Sequence, residues 1–233
     1  MNRKCVAIVQ SSYIPWKGYF DLIRAVDEFI LLDDVQFTRR DWRSRNRIKT
    51  PQGLTWLTIP VQSKGRYLQT IRETCVVAEG DWSGKHWASL RANYARAPFF
   101  EAYASELEAV YRDLAKETRL SAINHALTAA ACRLLAIETP IRWSSDYESV
   151  SGRNERLVAL CQQAGATEYL SGPSARDYMD EAMFTAAGVA VRFADYSGYP
   201  EYSQLYPPFE HQVSVLDLLF STGHGARKYL KDL

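Results

Sequence analysis

The chain has few cysteines, few histidines and no long apolar run, and each shortage argues against a class of protein. Its four cysteines are far apart and form no CxxC pair, so neither a metal site nor a disulfide framework is expected. No stretch approaches 18 uninterrupted apolar residues, so no transmembrane helix is expected. The opening MNRKCVAIVQ has neither an apolar signal core nor a cleavage-site pattern. We therefore expect a soluble, cytoplasmic protein with reduced thiols.

An excess of charge is also missing. The formal net charge is +1, which gives no overall field for nucleic acid or for a membrane surface, and we expect neither as a partner. No HExxH or GxSxG motif is present, so no metal ligand or cofactor is assigned. What is abundant is tyrosine (14) and tryptophan (6), which suit a ligand pocket and an interface equally well, and a homo-oligomer is left open.

The apolar pattern predicts an α/β fold. CVAIVQ and EFILL read as strands on either side of a helical YFDLIRAV, and the same rhythm returns after residue 140. Residues 45–61 read as a β-hairpin around Thr50–Gly53, TCVVAE reads as a further strand, and a helix is expected from about Ala175 to Gly188. The prediction is one domain over residues 1–233. It comprises a mostly parallel, Rossmann-like sheet of about five strands, a β-hairpin, and a helical insertion or cap at about 83–137.

Polar and aromatic residues follow four of the predicted strands. In an open parallel sheet, ligands bind beyond the carboxyl ends of the strands. The segments that would converge on this rim are Ser11–Gly18, Asp33–Phe37, Ser144–Asp146 and Ser171–Arg176.

Each segment has a chemical and a structural interpretation. Gly18 stands where a helix N-terminus favours an anion, or in a tight turn covered by aromatics. Asp33 and Asp34 are candidate catalytic bases, or turn and ion-pair residues. TRRDWRSRNRIK can clamp phosphate through guanidinium groups, or form a solvated basic face. Ser171 and Ser174 can bind phosphate or cap a helix. The substrate-binding candidates are Gln10, Tyr13, Trp16, Gly18, Tyr19, Gln36, Arg45, Asn46, Arg47, Ser171, Gly172, Ser174, Arg176 and Asp177.

Five stretches together resemble the WbqC-like family of bacterial proteins. They are YIPWKGYFDLI, DEFILLDDVQFTRRDWRSRNRIKT, WLTIPV, YLSGPSARDYMD and SVLDLLF, and they span nearly the whole chain. The resemblance implies a step in the biosynthesis of O-antigen or another cell-surface polysaccharide. A looser similarity links the first loop to nucleotidylyltransferase-like folds such as pantothenate synthetase. In those folds loop histidines bind ATP phosphates, whereas here Tyr13, Trp16 and Tyr19 stand around Gly18.

These observations lead to a functional expectation with three alternatives. The expectation is acyl, aminoacyl or similar group transfer to an amino sugar, from or onto a phosphate-bearing or nucleotide-linked substrate. In it Arg45, Arg47 and Arg176 hold phosphate, and Tyr13 and Trp16 line a sugar pocket. The alternatives are an adenylate-forming ATP-dependent ligase using Lys17 and Lys64, a non-catalytic protein that binds a nucleotide sugar or a partner, and RNA binding by the arginine-rich hairpin.

Overall fold

A five-stranded parallel sheet forms the centre of the molecule, with a separate two-stranded hairpin beside it. The computed structural model describes residues 3–233. Its strands are β1 (Cys5–Val9), β2 (Glu28–Leu31), β3 (Arg45–Thr50), β4 (Gly53–Thr58), β5 (Ile141–Trp143), β6 (Glu168–Ser171) and β7 (Ala190–Phe193). β3 and β4 form the antiparallel hairpin, and the other five strands form the sheet.

The strand order of the sheet is β5-β2-β1-β6-β7, and all four neighbouring pairs are parallel. Counted along the chain, the sheet strands therefore lie in the order third, second, first, fourth, fifth. This is the doubly wound order, in which the chain winds outward from β1 in one direction and from β6 in the other. The expected α/β class is confirmed, and the winding direction reverses between β1 and β6.

Seven α-helices accompany the strands in the described part of the chain. They are α1 (Lys17–Arg24), α2 (Trp82–Tyr94), α3 (Phe100–Leu114), α4 (Leu120–Leu134), α5 (Arg153–Gln163), α6 (Glu181–Ala186) and α7 (Val215–Thr222). Three 3₁₀ segments follow β5, β6 and α7, at Ser144–Asp146, Pro173–Asp177 and Gly223–Tyr229. None of the helices described here is long and apolar enough to cross a membrane.

Alternation along the strands places a hydrophobic core on each face of the sheet. In β1, Ala7 belongs to the larger core, while Val6 and Ile8 belong to the smaller one. The larger core includes side chains of α1 to α4 and of α7, and the smaller includes side chains of α5 and α6. The helices at 82–134 thus pack in the larger core.

Two expected elements differ from the structure. TCVVAE (74–79) is not a strand, because Val76 and Cys75 make single bridges to two different partners, Val61 and Arg119, and no ladder forms. The helix expected from Ala175 begins only at Glu181. A 3₁₀ turn occupies 173–177, and Asp180 then caps α6 by accepting a hydrogen bond from the Ala182 N–H. The hairpin turn at Thr50–Gly53 is as expected, and Gly188, where the helix was expected to end, has a positive φ just after α6.

The segment 195–214 has no helix or strand and is anchored to buried charged groups of α1. Lys17 is buried, with Nζ 4.6 Å from the Tyr199 ring centroid, and burial lowers its pKa to about 8. Asp21 accepts hydrogen bonds from the Tyr199 hydroxyl and from the Lys231 N–H, and burial raises its pKa to about 6. These contacts join the first helix to the end of the chain.

Candidate functional site

The reversal of strand winding creates a cavity at the carboxyl edge of the sheet. The loops after β1 and β6 leave the sheet in opposite directions, and an open crevice remains between them. The cavity measures about 880 Å³ and is lined by residues from the ends of β1, β2 and β6 and from the start of α5. We call it the switch-point cavity. Six of the sequence-predicted residues line it: Gln10, Asp34, Gln36, Ser171, Gly172 and Ser174.

Three arginines supply positive charge to the switch-point cavity: Arg43, Arg153 and Arg156. The Nε and Nη1 atoms of Arg43 are buried and have no hydrogen-bond partner among the described residues. Arg153 and Arg156 lie three residues apart in the first turn of α5, so they share a helix face, and the preceding Gly152 also lines the cavity. The helix N-terminus adds a positive end of the backbone dipole. The arrangement favours a ligand with negative charge.

Asp34 lies in this cavity close to the arginines. Its Oδ1 accepts a hydrogen bond from the Ser144 hydroxyl at 2.6 Å, and its Oδ2 lies 3.7 Å from Nη1 of Arg156. About a quarter of the side chain is exposed. Asp34 also lines a third cavity of about 690 Å³ on its other side, together with residues such as Trp143 and Arg119. Among the described residues, Asp34 is the one side chain common to both cavities.

Asp33, the neighbouring candidate base, is buried in the protein. Its side chain accepts hydrogen bonds from the Ser11 N–H at 2.8 Å and from the Ser121 hydroxyl. Only 1% of Asp33 is exposed, and burial raises the pKa of its carboxyl. Asp33 therefore links the loop after β1 to α4, whereas Asp34 faces the open space.

A second, more aromatic cavity of about 450 Å³ adjoins the first. We call it the aromatic cavity. Its wall includes the rings of Trp16, Tyr19, Trp42 and Tyr196. Trp16 and Tyr196 meet edge to face, with ring centroids 5.1 Å apart. The two cavities share four residues, Val9, Arg43, Gly172 and Ser174.

The loop after β1 is held by Asn46, which also lines the aromatic cavity. Its amide donates to the carbonyl oxygens of Tyr13 (3.1 Å) and Ile14 (2.8 Å), and its Oδ1 accepts from the Arg47 N–H. Ile14 has φ +35°, a conformation that is costly for a β-branched residue. Asn46 thus fixes a strained turn, and its side-chain hydrogen bonds are used within the protein.

Nine of the sequence-predicted residues line one or both cavities, and seven line neither. Trp16, Tyr19 and Asn46 join the six already given for the switch-point cavity. The seven others are Tyr13, Gly18, Asp33, Arg45, Arg47, Arg176 and Asp177. The insertion at 82–134 contributes no lining residue to these two cavities, so it does not cover them.

Tyr13 and Gly18, expected to contact a sugar and an anion, are covered by other side chains of the protein. Tyr13 has no exposed surface, and its hydroxyl is hydrogen-bonded to Nδ1 of His86 (2.7 Å) and to the Tyr111 hydroxyl (2.9 Å). Gly18 lies in the first turn of α1 under the Trp16 ring, which leaves no space even for a Cβ. Trp16, which was expected to line a sugar pocket, packs against the backbone of Gly18.

The predicted arginine clamp also has other partners. Arg45 stacks on Trp56 at 4.1 Å, and Arg47 donates to the Gln212 carbonyl at 2.9 Å. Arg176 stacks on Phe193, and Asp177 is exposed. Lys17, assigned to phosphate in the ligase alternative, is enclosed by the 195–214 segment.

Sequence reasoning missed the roles of Arg43, Arg153 and Arg156 in the cavity and those of Trp42, Tyr196 and Gln212 in its neighbour. The spacing of Arg153 and Arg156 at i, i+3 on a helix that begins at the carboxyl edge was a usable signal. Tyr196 and Gln212 lie in an irregular segment, for which periodicity gives no direction. Among residues 3–233, no group of three or more His, Cys, Asp or Glu side chains is placed to hold a metal ion.

Comparison with known proteins places this site in a family. The profile of the WbqC-like protein family matches residues 10–229, from the loop after β1 to the last 3₁₀ segment. The chain belongs to the WbqC-like family. A relative in Mycobacterium tuberculosis (strain ATCC 25618 / H37Rv), the uncharacterized protein Rv1507c, is 54% identical over 228 residues, which is 98% of each chain. No solved structure matches the chain. The family resemblance of the five sequence stretches is thereby confirmed, and the matched residues include every lining residue of the two cavities except Ile8 and Val9.

Proposed function

We propose that this WbqC-like protein is a cytoplasmic group-transfer enzyme that binds a phosphate-bearing, nucleotide-linked substrate in the switch-point cavity. The reaction is transfer of an acyl, aminoacyl or similar group to an amino sugar, as a step of bacterial cell-surface polysaccharide biosynthesis. The observation that carries the proposal is the presence of three arginines and the accessible Asp34 in one cavity at the reversal point of the sheet.

Phosphate recognition in this proposal uses arginines other than those expected from the sequence. Arg43 is the first candidate, because its buried Nε and Nη1 make no hydrogen bond with the described residues and such groups are costly to leave unbonded; the nearest carboxylate, that of Asp41, is 3.8 Å from Nε, too far for a hydrogen bond. Arg153, which also lies 4.8 Å from the Tyr178 ring centroid, and Arg156 add charge from the start of α5, and Ser174 offers a hydroxyl in the same cavity. Guanidinium groups bind phosphate through paired, charge-assisted hydrogen bonds.

Asp34 is the proposed general base. The amino nitrogen of the acceptor attacks the carbonyl carbon of the donor, and a C–N bond forms. The bond from that carbon to the leaving atom breaks, and the leaving atom departs with the electron pair. Asp34 takes the proton released by the nitrogen and passes it to the leaving group. The Ser144 hydrogen bond orients the carboxylate, and the two cavities that meet at Asp34 give two substrates access to it.

Binding of inorganic pyrophosphate tests the first half of the proposal. Calorimetric titration of the intact protein is compared with that of Arg43→Gln and Arg156→Gln. Each substitution removes a charge-assisted interaction worth about 1.5–3 kcal/mol, so each should weaken binding by roughly 10- to 150-fold. Arg112→Gln is the matched control, because Arg112 lies exposed on α3. Pyrophosphate affinity that is absent, or is equal in all four proteins, refutes the proposed anion site.

Turnover tests the second half. The protein is incubated with nucleotide-linked amino sugars and with acyl and aminoacyl donors, and acylated sugar is detected by mass spectrometry. Asp34→Asn should bind pyrophosphate at least as tightly as the unaltered protein, because a negative charge leaves the cavity, but it should lose turnover. Binding without product for every donor and acceptor would favour the non-catalytic alternative, in which the protein only recognises the substrate.

A further inference from the structure

The aromatic cavity has no part in the reaction proposed above, and its position relative to Asp34 explains why. Asp34 lines the switch-point cavity and the third cavity but not the aromatic one. A group held among Trp16, Trp42 and Tyr196 therefore does not contact the proposed base. The aromatic cavity suits a part of the substrate that is bound but does not react.

The wall between the two cavities identifies what links them. Arg43 belongs to both linings, and its Nε and Nη1 are buried and make no hydrogen bond with the described residues, although the Asp41 carboxylate lies 3.8 Å from Nε. Gly172 and Ser174 complete the same wall, and Gly172 leaves the backbone uncovered by a side chain. An anionic linker that passes from one cavity to the other would contact the guanidinium.

The lining of the aromatic cavity fits a planar, partly polar group. Indole and phenol rings stand on several sides, and stacking on such rings does not depend on the identity of the base. Among the polar side chains, the Gln212 amide accepts from Arg47 through Oε1, and no hydrogen bond of its Nε2 is formed with the described residues. Asn46 is saturated by its own backbone contacts. One amide group is therefore free to read the edge of a ring.

From these contacts we infer that the aromatic cavity binds the nucleobase of a nucleoside diphosphate, with the diphosphate beside Arg43 and the linked group directed toward Asp34. The inference rests on the proposed function, and it fixes the direction in which the substrate lies. It also reassigns Trp16, which the sequence placed in a sugar pocket, to the base.

The test compares the affinity of inorganic pyrophosphate with that of uridine, thymidine, adenosine and guanosine diphosphates. Stacking of a base on an aromatic ring contributes a factor of about 5–150, so at least one nucleotide should bind tighter than pyrophosphate by such a factor. Trp42→Leu should reduce this advantage several-fold and leave pyrophosphate affinity unchanged. Trp42 is 38% exposed, so this variant is expected to fold. Trp16→Leu is the second variant, and Tyr67→Leu is the control, because Tyr67 is an exposed aromatic residue that lines none of the three cavities.

The outcomes separate this inference from the proposed function. Nucleotide preference that is lost in Trp42→Leu and Trp16→Leu but kept in Tyr67→Leu supports the assignment. Pyrophosphate binding with no nucleotide preference overturns the assignment but leaves the anion site in place. The affinity of a nucleotide-linked hexose is also compared with that of the free nucleotide. If the tryptophan variants lose the affinity that the hexose adds and keep the affinity that the base adds, the substrate lies in the opposite direction to the one inferred. Absence of pyrophosphate binding removes the proposed function and the inference together.

Discussion

His86 should make the protein less stable as the pH falls below neutrality, by an amount that the structure allows us to calculate. The imidazole is 7% exposed, lies against Trp82, and is hydrogen-bonded through Nδ1 to the Tyr13 hydroxyl. Burial lowers its pKa from 6.5 to about 4. Between these two values the unfolded chain binds a proton at this residue and the folded chain does not.

The direction and size of this change in stability follow from the linkage between proton binding and unfolding. Because the unfolded state binds more protons, the free energy of unfolding rises with pH in this window and falls on acidification. Each unit of pKa difference corresponds to about 1.4 kcal/mol, so the loss between pH 6.5 and pH 4 reaches about 3 kcal/mol. Above pH 6.5 His86 contributes no pH dependence.

The perturbation is His86→Gln, measured by urea unfolding at about pH 7 and about pH 4.5. The variant is less stable than the unaltered protein at neutral pH because the ring packing and the bond to Tyr13 are lost. Its disadvantage should shrink at the acidic pH by about 2–3 kcal/mol. Buried carboxyls such as Asp21 titrate in the same range with the opposite sign, but they are common to both proteins and cancel in the difference.

Leu90→Met controls for a change of packing in the same helix. Leu90 is fully buried in α2, and a substitution that conserves volume costs less than about 1.5 kcal/mol. This variant keeps His86 and should show the same pH dependence as the unaltered protein. The reasoning fails if His86→Gln loses as much stability on acidification as the unaltered protein does.

Three other predictions concern the walls of the cavities. Gly18→Ala places a Cβ inside the Trp16 ring and should shift tryptophan fluorescence and cost about 1–3 kcal/mol in urea unfolding; an unchanged spectrum contradicts it. Asn46→Ala leaves two buried carbonyls unpaired and should cost about 1–3 kcal/mol for each; Asn46→Asp, which keeps only the acceptor oxygens, should not restore stability. Asp33→Asn should keep turnover, whereas Asp34→Asn should abolish it, and the reverse result would exchange their roles.

The sequence predicted where the site lies better than which side chains form it. Parallel strands place their carboxyl ends on one edge, so the convergence of the loops after β1, β2 and β6 followed from the strand pattern alone. The direction of a side chain at those ends depends on what packs against each face. Leu31 faces the larger core, and strand alternation turns Asp33 the same way and Asp34 the other. The sequence did not show that the face of the sheet next to the start of α5 has an open cavity, into which Asp34 points.

The arginines also show that the sequence did not predict which side chains face the cavities. Arg45 and Arg47 lie on a hairpin that carries its own aromatic partner, because register places Trp56 opposite Arg47. Both guanidinium groups lie near that ring in cation–π contact, and neither arginine lines the two cavities. Arg43 precedes the strand and points into the shared wall of the two cavities instead. The pairing register of the two strands decides which side chains lie next to each arginine. This register could not be read from a short stretch of the sequence.

The anchoring of the 195–214 segment delays one part of folding until the last residues of the chain have been synthesised. Helix α1 leaves the ribosome early, yet the groups that donate hydrogen bonds to its Asp21 carboxylate belong to Tyr199 and Lys231, near the other end of the chain. Until those residues are translated, the carboxylate and the neighbouring Lys17 have to stay hydrated, and α1 cannot settle fully against the sheet. The wall that Tyr196 and Gln212 contribute is completed at the same late moment. The aromatic cavity is therefore complete only after residue 212 has been synthesised.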